Sequence, residues 1–162
     1  MRALVVTVST RAAGGVYDDV SGPILVEGLR GLGFDVDGPT VVPDGPEIES
    51  VLLGAVHDGY DVVLTTGGTG LTAHDVTPEF TASVLTREAP GIAEAIRAAG
   101  AAKGVPTAVL SRGRAGLAGD TLIVNLPGSR GGAKDGMEVL SGILVHAVEQ
   151  VRGGDHPRPG SS

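Results

Sequence analysis

The segment Ala3–Val8, A-L-V-V-T-V, is apolar at nearly every position instead of every second one. A strand with one wet face alternates, so a continuous aliphatic run predicts a strand covered on both faces. That demand is met by a largely parallel sheet between two layers of helices. The residues that follow fit such a sandwich. Ser21 and Pro23 open a helix that carries Ile24, Leu25, Leu29 and Leu32 along one side, with Gly33 as its stop. Asp35–Val42 predicts a second strand, ending in Pro43-Asp44-Gly45-Pro46. Ile48, Val51, Leu52, Ala55 and Val56 then recur at i, i+3, i+4, i+7 and i+8, an amphipathic helix. Asp61–Thr66 predicts a third strand. The stretch Ser9–Val20, with Gly14 and Gly15, reads as a long mobile loop.

In the second half, Thr77 is placed to cap a helix whose first position is Pro78, where the missing N–H costs nothing. Pro90 and Gly91 are expected to break that helix, and another follows with Ile92, Ala95, Ile96 and Ala99 in register. Thr107–Leu110 and Thr121–Leu126 predict two further strands. The span between them is too short for a crossover helix, so this pair should be antiparallel. Met137, Leu140, Leu144, Ala147, Val148 and Val151 predict one last helix, and a tail over 153–162, rich in Gly, Pro and Ser, is expected to be disordered. The expected fold is a three-layer α/β domain over residues 1–152: a mostly parallel, mixed sheet with one antiparallel strand and helices on both faces. Aromatics are 2% of the chain, so the core has to be built from Val, Leu, Ile and Ala.

A net charge of −7 and a pI near 4.9 argue against nucleic acid or an anionic membrane as partner. Small molecules and proteins remain. The absence of cysteine removes disulfide frameworks and thiolate metal sites. The N-terminus enters a strand pattern directly, without the features of a signal peptide, and no apolar run approaches membrane-spanning length. A soluble, cytoplasmic protein is expected.

The chemistry concentrates in Val62–Glu79, V-V-L-T-T-G-G-T-G-L-T-A-H-D-V-T-P-E. A buried strand runs into Gly67, Gly68 and Gly70, then Asp75, then a helix start. Glycines let several peptide N–H groups converge on one anion, so this is a phosphate cradle with an acid beside it. In a parallel sheet ligands bind at the carboxyl ends of the strands. Ser9-Thr10-Arg11, Asp44, the glycine loop, Ser111-Arg112 and Pro127-Gly128-Ser129 all follow predicted strands, although an antiparallel pair cannot bring both its ends to one rim. Gly68–Ala73 fits the dinucleotide pattern G-x-G-x-x-A. However, Asp75, Val76 and Thr77 delay the helix, and the acid at the right distance, Glu88, falls in a predicted helix, which disfavours a nicotinamide or flavin site. A P-loop is excluded, since G-x-x-x-x-G-K-[ST] does not occur. His74 has no histidine neighbour at ligand spacing and is expected to face solvent.

The run Thr65–Glu79, with V-P-D at Val42–Asp44, L-S-R at Leu110–Arg112 and L-P-G-S at Leu126–Ser129, resembles the MogA/MoaB-type molybdopterin-binding family over nearly the whole chain. The resemblance implies a molybdopterin adenylyltransferase of molybdenum cofactor biosynthesis. In that reaction the terminal phosphate of molybdopterin attacks the α-phosphate of Mg-ATP and pyrophosphate leaves. It implies a homotrimer, or a hexamer built from trimers, that passes its product to a molybdotransferase. Asp44 and Asp75 become the catalytic carboxylates and candidate Mg²⁺ ligands. Ser9, Arg11, Thr66, Gly67, Gly68, Thr69, Gly70, Ser111, Arg112, Pro127, Gly128, Ser129 and Arg130 become the residues that bind the phosphates of molybdopterin and ATP. Two roles stay open: Ser129 caps the final helix or touches ligand, and Arg11 is a solvated charge or folds over the nucleotide. The chain departs from the family at Gly131, where members often carry lysine, leaving Arg130 or Lys134 to supply that charge. A non-catalytic molybdopterin-binding paralogue and a scaffold for the molybdotransferase are the alternatives.

Overall fold

The aliphatic runs become the middle of a six-stranded sheet, ordered β2-β1-β3-β6-β5-β4, in a computed structural model that describes residues 1–154. In chain order the elements are β1 (Arg2–Val8), α1 (Thr10–Ala13), α2 (Gly22–Gly31), β2 (Asp35–Val42), α3 (Glu47–His57), β3 (Val62–Thr66), α4 (Thr77–Val84), β4 (Arg87–Glu88), α5 (Pro90–Ala102), a 3-10 turn (Pro106–Leu110), β5 (Ala115–Ala118), β6 (Thr121–Leu126), α6 (Arg130–Ser141) and α7 (Leu144–Val151). β1 lies parallel to β2 and β3, and β3 parallel to β6. β5 runs against both β6 and β4. The sheet is therefore mixed, with one reversed strand.

β3 and β6 are buried at every position, and β1 at every position after Arg2, as two-sided cover requires. Successive residues feed opposite layers. Val5, Leu64 and Val124 pack with Leu25, Leu29, Ile96, Met137, Leu140 and Leu144 on one side. Val6, Val63 and Ile123 pack with Ile48, Leu52 and Val84 on the other. Each such side chain contributes roughly 1.5–3 kcal/mol by leaving water.

Several elements differ from the sequence expectation. Thr107–Leu110 is not a strand; Pro106 starts a 3-10 turn there. The reversed strand is Ala115–Ala118, whose small residues have little strand propensity of their own. Gly116 is needed because a Cβ there would collide with Arg87 O across the β4 pairing. Pro90 does not end a helix. α4 has already stopped at Val84, two residues of strand follow, and Pro90 opens α5. The final helix is two helices, broken at Gly142 and Ile143. Ser9–Val20 is not all loop, because Thr10–Ala13 forms a helical turn. The expected disordered tail lies, from residue 155 onward, outside the described residues.

The reversal of β5 settles how its end joins the rim. Ser111-Arg112 precede β5 instead of following a strand, and Ala115 stands opposite Val124 near the carboxyl end of β6. Asn125 N donates to Arg114 O at 2.9 Å. The loops after β1, β2, β3 and β6 and the approach to β5 thus meet at one edge. Among the described residues no helix is long and apolar enough to cross a membrane.

Candidate active site

The turn after β3 can be made only by glycine. Gly67 has φ +102° and Gly68 φ +68°, and a Cβ at either would collide, with Val8 O and Thr77 Oγ1 respectively. The loop is then pinned from three sides. Gly67 N donates to Leu126 O at 3.1 Å, and Thr77 N to Gly68 O at 3.1 Å. Thr66 Oγ1 donates to Pro127 O at 2.7 Å. Thr77 does not cap α4; it is fully buried and its hydroxyl donates to Gly67 O at 2.9 Å. A threonine that looks like a helix cap in sequence closes the cradle instead.

The two aspartates reach this loop from different elements and are held alike. Asp44 Oδ2 accepts from Thr10 Oγ1 at 2.8 Å and Thr10 N at 3.3 Å. Asp75 Oδ2 accepts from Thr72 Oγ1 at 2.8 Å and Thr72 N at 3.0 Å. Asp44 Oδ1 lies 3.0 Å from where a Cβ on Gly68 would stand, and Asp75 Oδ2 2.8 Å from the equivalent point on Gly70. Both line a cavity of about 610 Å³, together with Ser9, Arg11, Tyr17, Asp18, Asp19, Thr66, Gly67, Gly68, His74 and Gly128. A second cavity, of about 410 Å³, is lined by Thr69, Gly70, Ser111, Pro127 and Ser129. The two share Gly68, Asp75 and Gly128, so Asp75 stands on their common wall.

The remaining sequence candidates take varied places. Ser9 caps α1, accepting from Ala12 N at 3.1 Å. Ser129 caps α6, accepting from Gly132 N at 3.0 Å, and also lines the second cavity. Thr69 is buried, 3.2 Å from Ser111 Oγ. Arg112 lines neither cavity. Its Nε donates to Gly70 O at 2.9 Å, its Nη2 to Asp75 O at 2.7 Å, and its Nη1 pairs with Glu79. That hydrogen bond, against the opposing effect of burial, holds the Glu79 carboxyl below its ordinary range. Arg112 thus fastens Gly70 and Asp75, the two ends of the segment that follows the glycine turn. Arg130 and Lys134 line neither cavity. His74 is exposed, on the rim of the first.

Other residues of the site were not singled out from sequence. Asp19 Oδ1 accepts from Ser21 N at 3.2 Å and Gly22 N at 2.9 Å, while Oδ2 accepts from Thr7 Oγ1 at 2.7 Å. Ser21 Oγ donates to Gly128 O at 2.8 Å, tying the loop after β1 to that after β6. The only sequence signal was an Asp two residues before a Ser-Gly-Pro helix start, an ordinary turn pattern. Among the described residues no three His, Cys, Asp or Glu side chains are grouped to hold a metal. A pair of hard carboxylates suits Mg²⁺, which binds one or two of them and takes its other ligands from phosphate and water.

A family model described as "Probable molybdopterin binding domain" matches residues 4–146. A molybdenum cofactor biosynthesis bifunctional protein of Chlorobaculum tepidum is 38% identical over 156 residues, covering 96% of this chain and 50% of that protein. The chain spans about half the length of the first curated relatives it matches. A molybdopterin adenylyltransferase of Helicobacter pylori strain J99 is 36% identical, covering 92% of this chain and 86% of that protein. Among solved structures, a molybdopterin biosynthesis protein from Mycobacterium abscessus superposes with a TM-score of 0.90 at 48% identity, over 94% of this chain and 96% of that one.

Proposed function

The chain belongs to the molybdopterin-binding domain family, and from that premise we propose that it acts in molybdenum cofactor biosynthesis as a molybdopterin adenylyltransferase. Relatives that carry the latter name support the reading. The observation that carries it is the position of Asp75 on the wall shared by two cavities, with Asp44 lining the first of them and both carboxylates lying against the glycine loop. A reaction that joins two phosphate-bearing substrates needs two chambers that meet at one charged point.

In the proposed reaction an oxygen of the molybdopterin terminal phosphate forms a bond to the α-phosphorus of ATP. The bond from that phosphorus to the oxygen bridging the β-phosphate breaks, and its electrons leave with pyrophosphate. Little covalent work falls to the protein in such a transfer; it positions and neutralises charge. Gly67 N–H is spent on Leu126 O, so the peptide N–H groups of Gly68, Thr69 and Gly70 hold the phosphate. Mg²⁺ arriving on ATP would take oxygens of Asp44 and Asp75 and supply charge neutralisation of the triphosphate. Thr10 and Thr72 keep the two carboxylates turned to the loop.

Pyrophosphate release from molybdopterin and Mg-ATP tests the proposal. Asp44→Asn and Asp75→Asn should keep the wild-type circular dichroism and lose on the order of 10²-fold or more in turnover, the scale of one lost electrostatic group. Full turnover in both variants would sink it. We further propose that the protein works as a homotrimer or hexamer feeding a molybdotransferase, with exposed Val105, Val109 and Leu110 among the apolar surface available for assembly. A monomeric mass by light scattering at working concentration would overturn the oligomer.

A further inference from the structure

We propose that Tyr17 and Arg11 form a clip that stacks on the flat heterocycle of a substrate. The inference rests on the proposed function only in naming which rings present themselves, adenine and pterin.

The chain has two Tyr, two Phe and no Trp. Phe34 is buried in the core, and Phe80 packs against the second layer. Tyr60 sits at the amino end of β3, away from the site, with its hydroxyl donated to Asp37 at 2.5 Å and Arg2 over its ring at 4.3 Å. Tyr17 alone of the four lines the 610 Å³ cavity. It does so at 59% exposure, a large planar surface left in water beside the carboxylates.

The backbone is arranged to put it there. Gly14 N donates to Thr10 O at 3.0 Å, Gly15 N to Ala12 O at 3.1 Å, and Val16 N to Arg11 O at 2.9 Å. Gly15 takes φ +74°, turning the chain back so that Tyr17 returns beside Arg11. The Arg11 guanidinium lies 5.4 Å from the Tyr17 ring centroid. A guanidinium over a phenol ring at this distance is a cation–π contact, and the exposed remainder of the ring offers a flat surface on which a nitrogen heterocycle stacks favourably. The next residue back, Thr10, holds Asp44. The clip is therefore continuous with the phosphate-handling end of the cavity, the arrangement needed by a ligand with a ring at one end and phosphate at the other.

Calorimetric titration of the full chain, in Mg²⁺, with ATP, inorganic tripolyphosphate and 6-hydroxymethylpterin separates ring from phosphate recognition. Tyr17→Ala should weaken ATP or the pterin roughly tenfold, the size of one lost stacking contact, and leave tripolyphosphate unchanged. Whichever ring ligand weakens is the one in the clip. Tyr17→Phe should bind like the wild type, and Arg11→Ala, which removes a cation as well as one side of the clip, should weaken the same ring ligand and tripolyphosphate as well. The clip is overturned if Tyr17→Ala binds both ring ligands as the wild type does, if Tyr17→Ala weakens all three ligands together, or if the wild type shows no ring ligand a heat that tripolyphosphate lacks. Ring-dependent binding without pyrophosphate release would leave the clip standing and defeat the adenylyltransferase reading. Normal turnover with ring binding indifferent to Tyr17 would do the reverse.

Discussion

Asn125 occupies a strand position with no access to water, yet every polar atom of its side chain is used. Its Nδ2 donates to Thr65 Oγ1 at 2.9 Å and Thr81 Oγ1 at 3.0 Å, and its Oδ1 accepts from Arg114 N at 3.0 Å. Asn125→Leu has nearly the right volume but takes a partner from the part-buried Arg114 N–H and from the buried hydroxyls of Thr65 and Thr81, so it should cost about 2–4 kcal/mol in a denaturant titration. An unchanged midpoint would show that water replaces the amide. Gly68 poses the opposite problem, a side chain where none fits. Gly68→Ala must put a Cβ against Thr77 Oγ1 at a φ of +68°, a strain of order 1–3 kcal/mol. Because the same Cβ would press on Asp44, the loss of nucleotide-dependent activity should exceed the loss of stability. If activity and melting temperature fell in proportion, Gly68 would matter to the fold alone.

Elements meet the site through the Glu79–Arg112 pair, which joins the first turn of α4 to the segment leading into β5. The arginine holds the Glu79 carboxyl below its ordinary value, so the folded state binds that proton less readily than the unfolded chain. Stability from this source is complete above the ordinary carboxylate range, near pH 4.3, and is lost as pH falls through the depressed value. With Glu79 55% exposed, solvent limits the contribution to under about 1 kcal/mol. Glu79→Gln should therefore melt lower than the wild type at pH 7, with the gap closing as pH drops through the carboxylate range; a gap that widens on acidification would refute the assignment. The same junction shows what the sequence could convey. The glycine loop and Asp75 were legible because their chemistry is local: a buried strand, three glycines, an acid. Arg112 was visible as a cation, but its three carbonyl and carboxylate partners lie 33 to 42 residues away, and no local pattern announces them. β5 was missed for a related reason. Its Ala and Gly residues are chosen by the closeness of β4, while the β-branched Thr107–Leu110 run, which looked like strand, is bent by Pro106. Asp19 and Tyr17 read as loop residues and Ser21 as a helix start, until the Ser21–Gly128 bond between the loops after β1 and β6 made them parts of one cavity wall.

At the scale of the whole molecule, charge and site oppose one another. The chain carries −7, and Asp18, Asp19, Asp44 and Asp75 line the first cavity with Arg11 as their sole lysine or arginine counterpart among the described residues. A polyanion approaching from a distance is therefore repelled, and only at contact do the loop N–H groups attract it. These two parts respond differently to salt. Long-range repulsion is screened once the Debye length falls to about 8 Å near 0.15 M ionic strength, whereas hydrogen bonds made inside the cradle are not. The rate of nucleotide capture should then stay level or rise as ionic strength increases at fixed free Mg²⁺, contrary to a basic site, where it falls steeply. Measuring kcat/KM for ATP from low to physiological ionic strength decides this, since a steep fall would mean that a cationic surface, outside these cavities, steers the nucleotide in. A level or rising profile would place the electrostatic attraction at contact range, in the glycine loop, in Arg11 and in the metal that ATP carries. It would also explain how an acidic protein can serve the two phosphate-bearing substrates proposed for it without a basic groove.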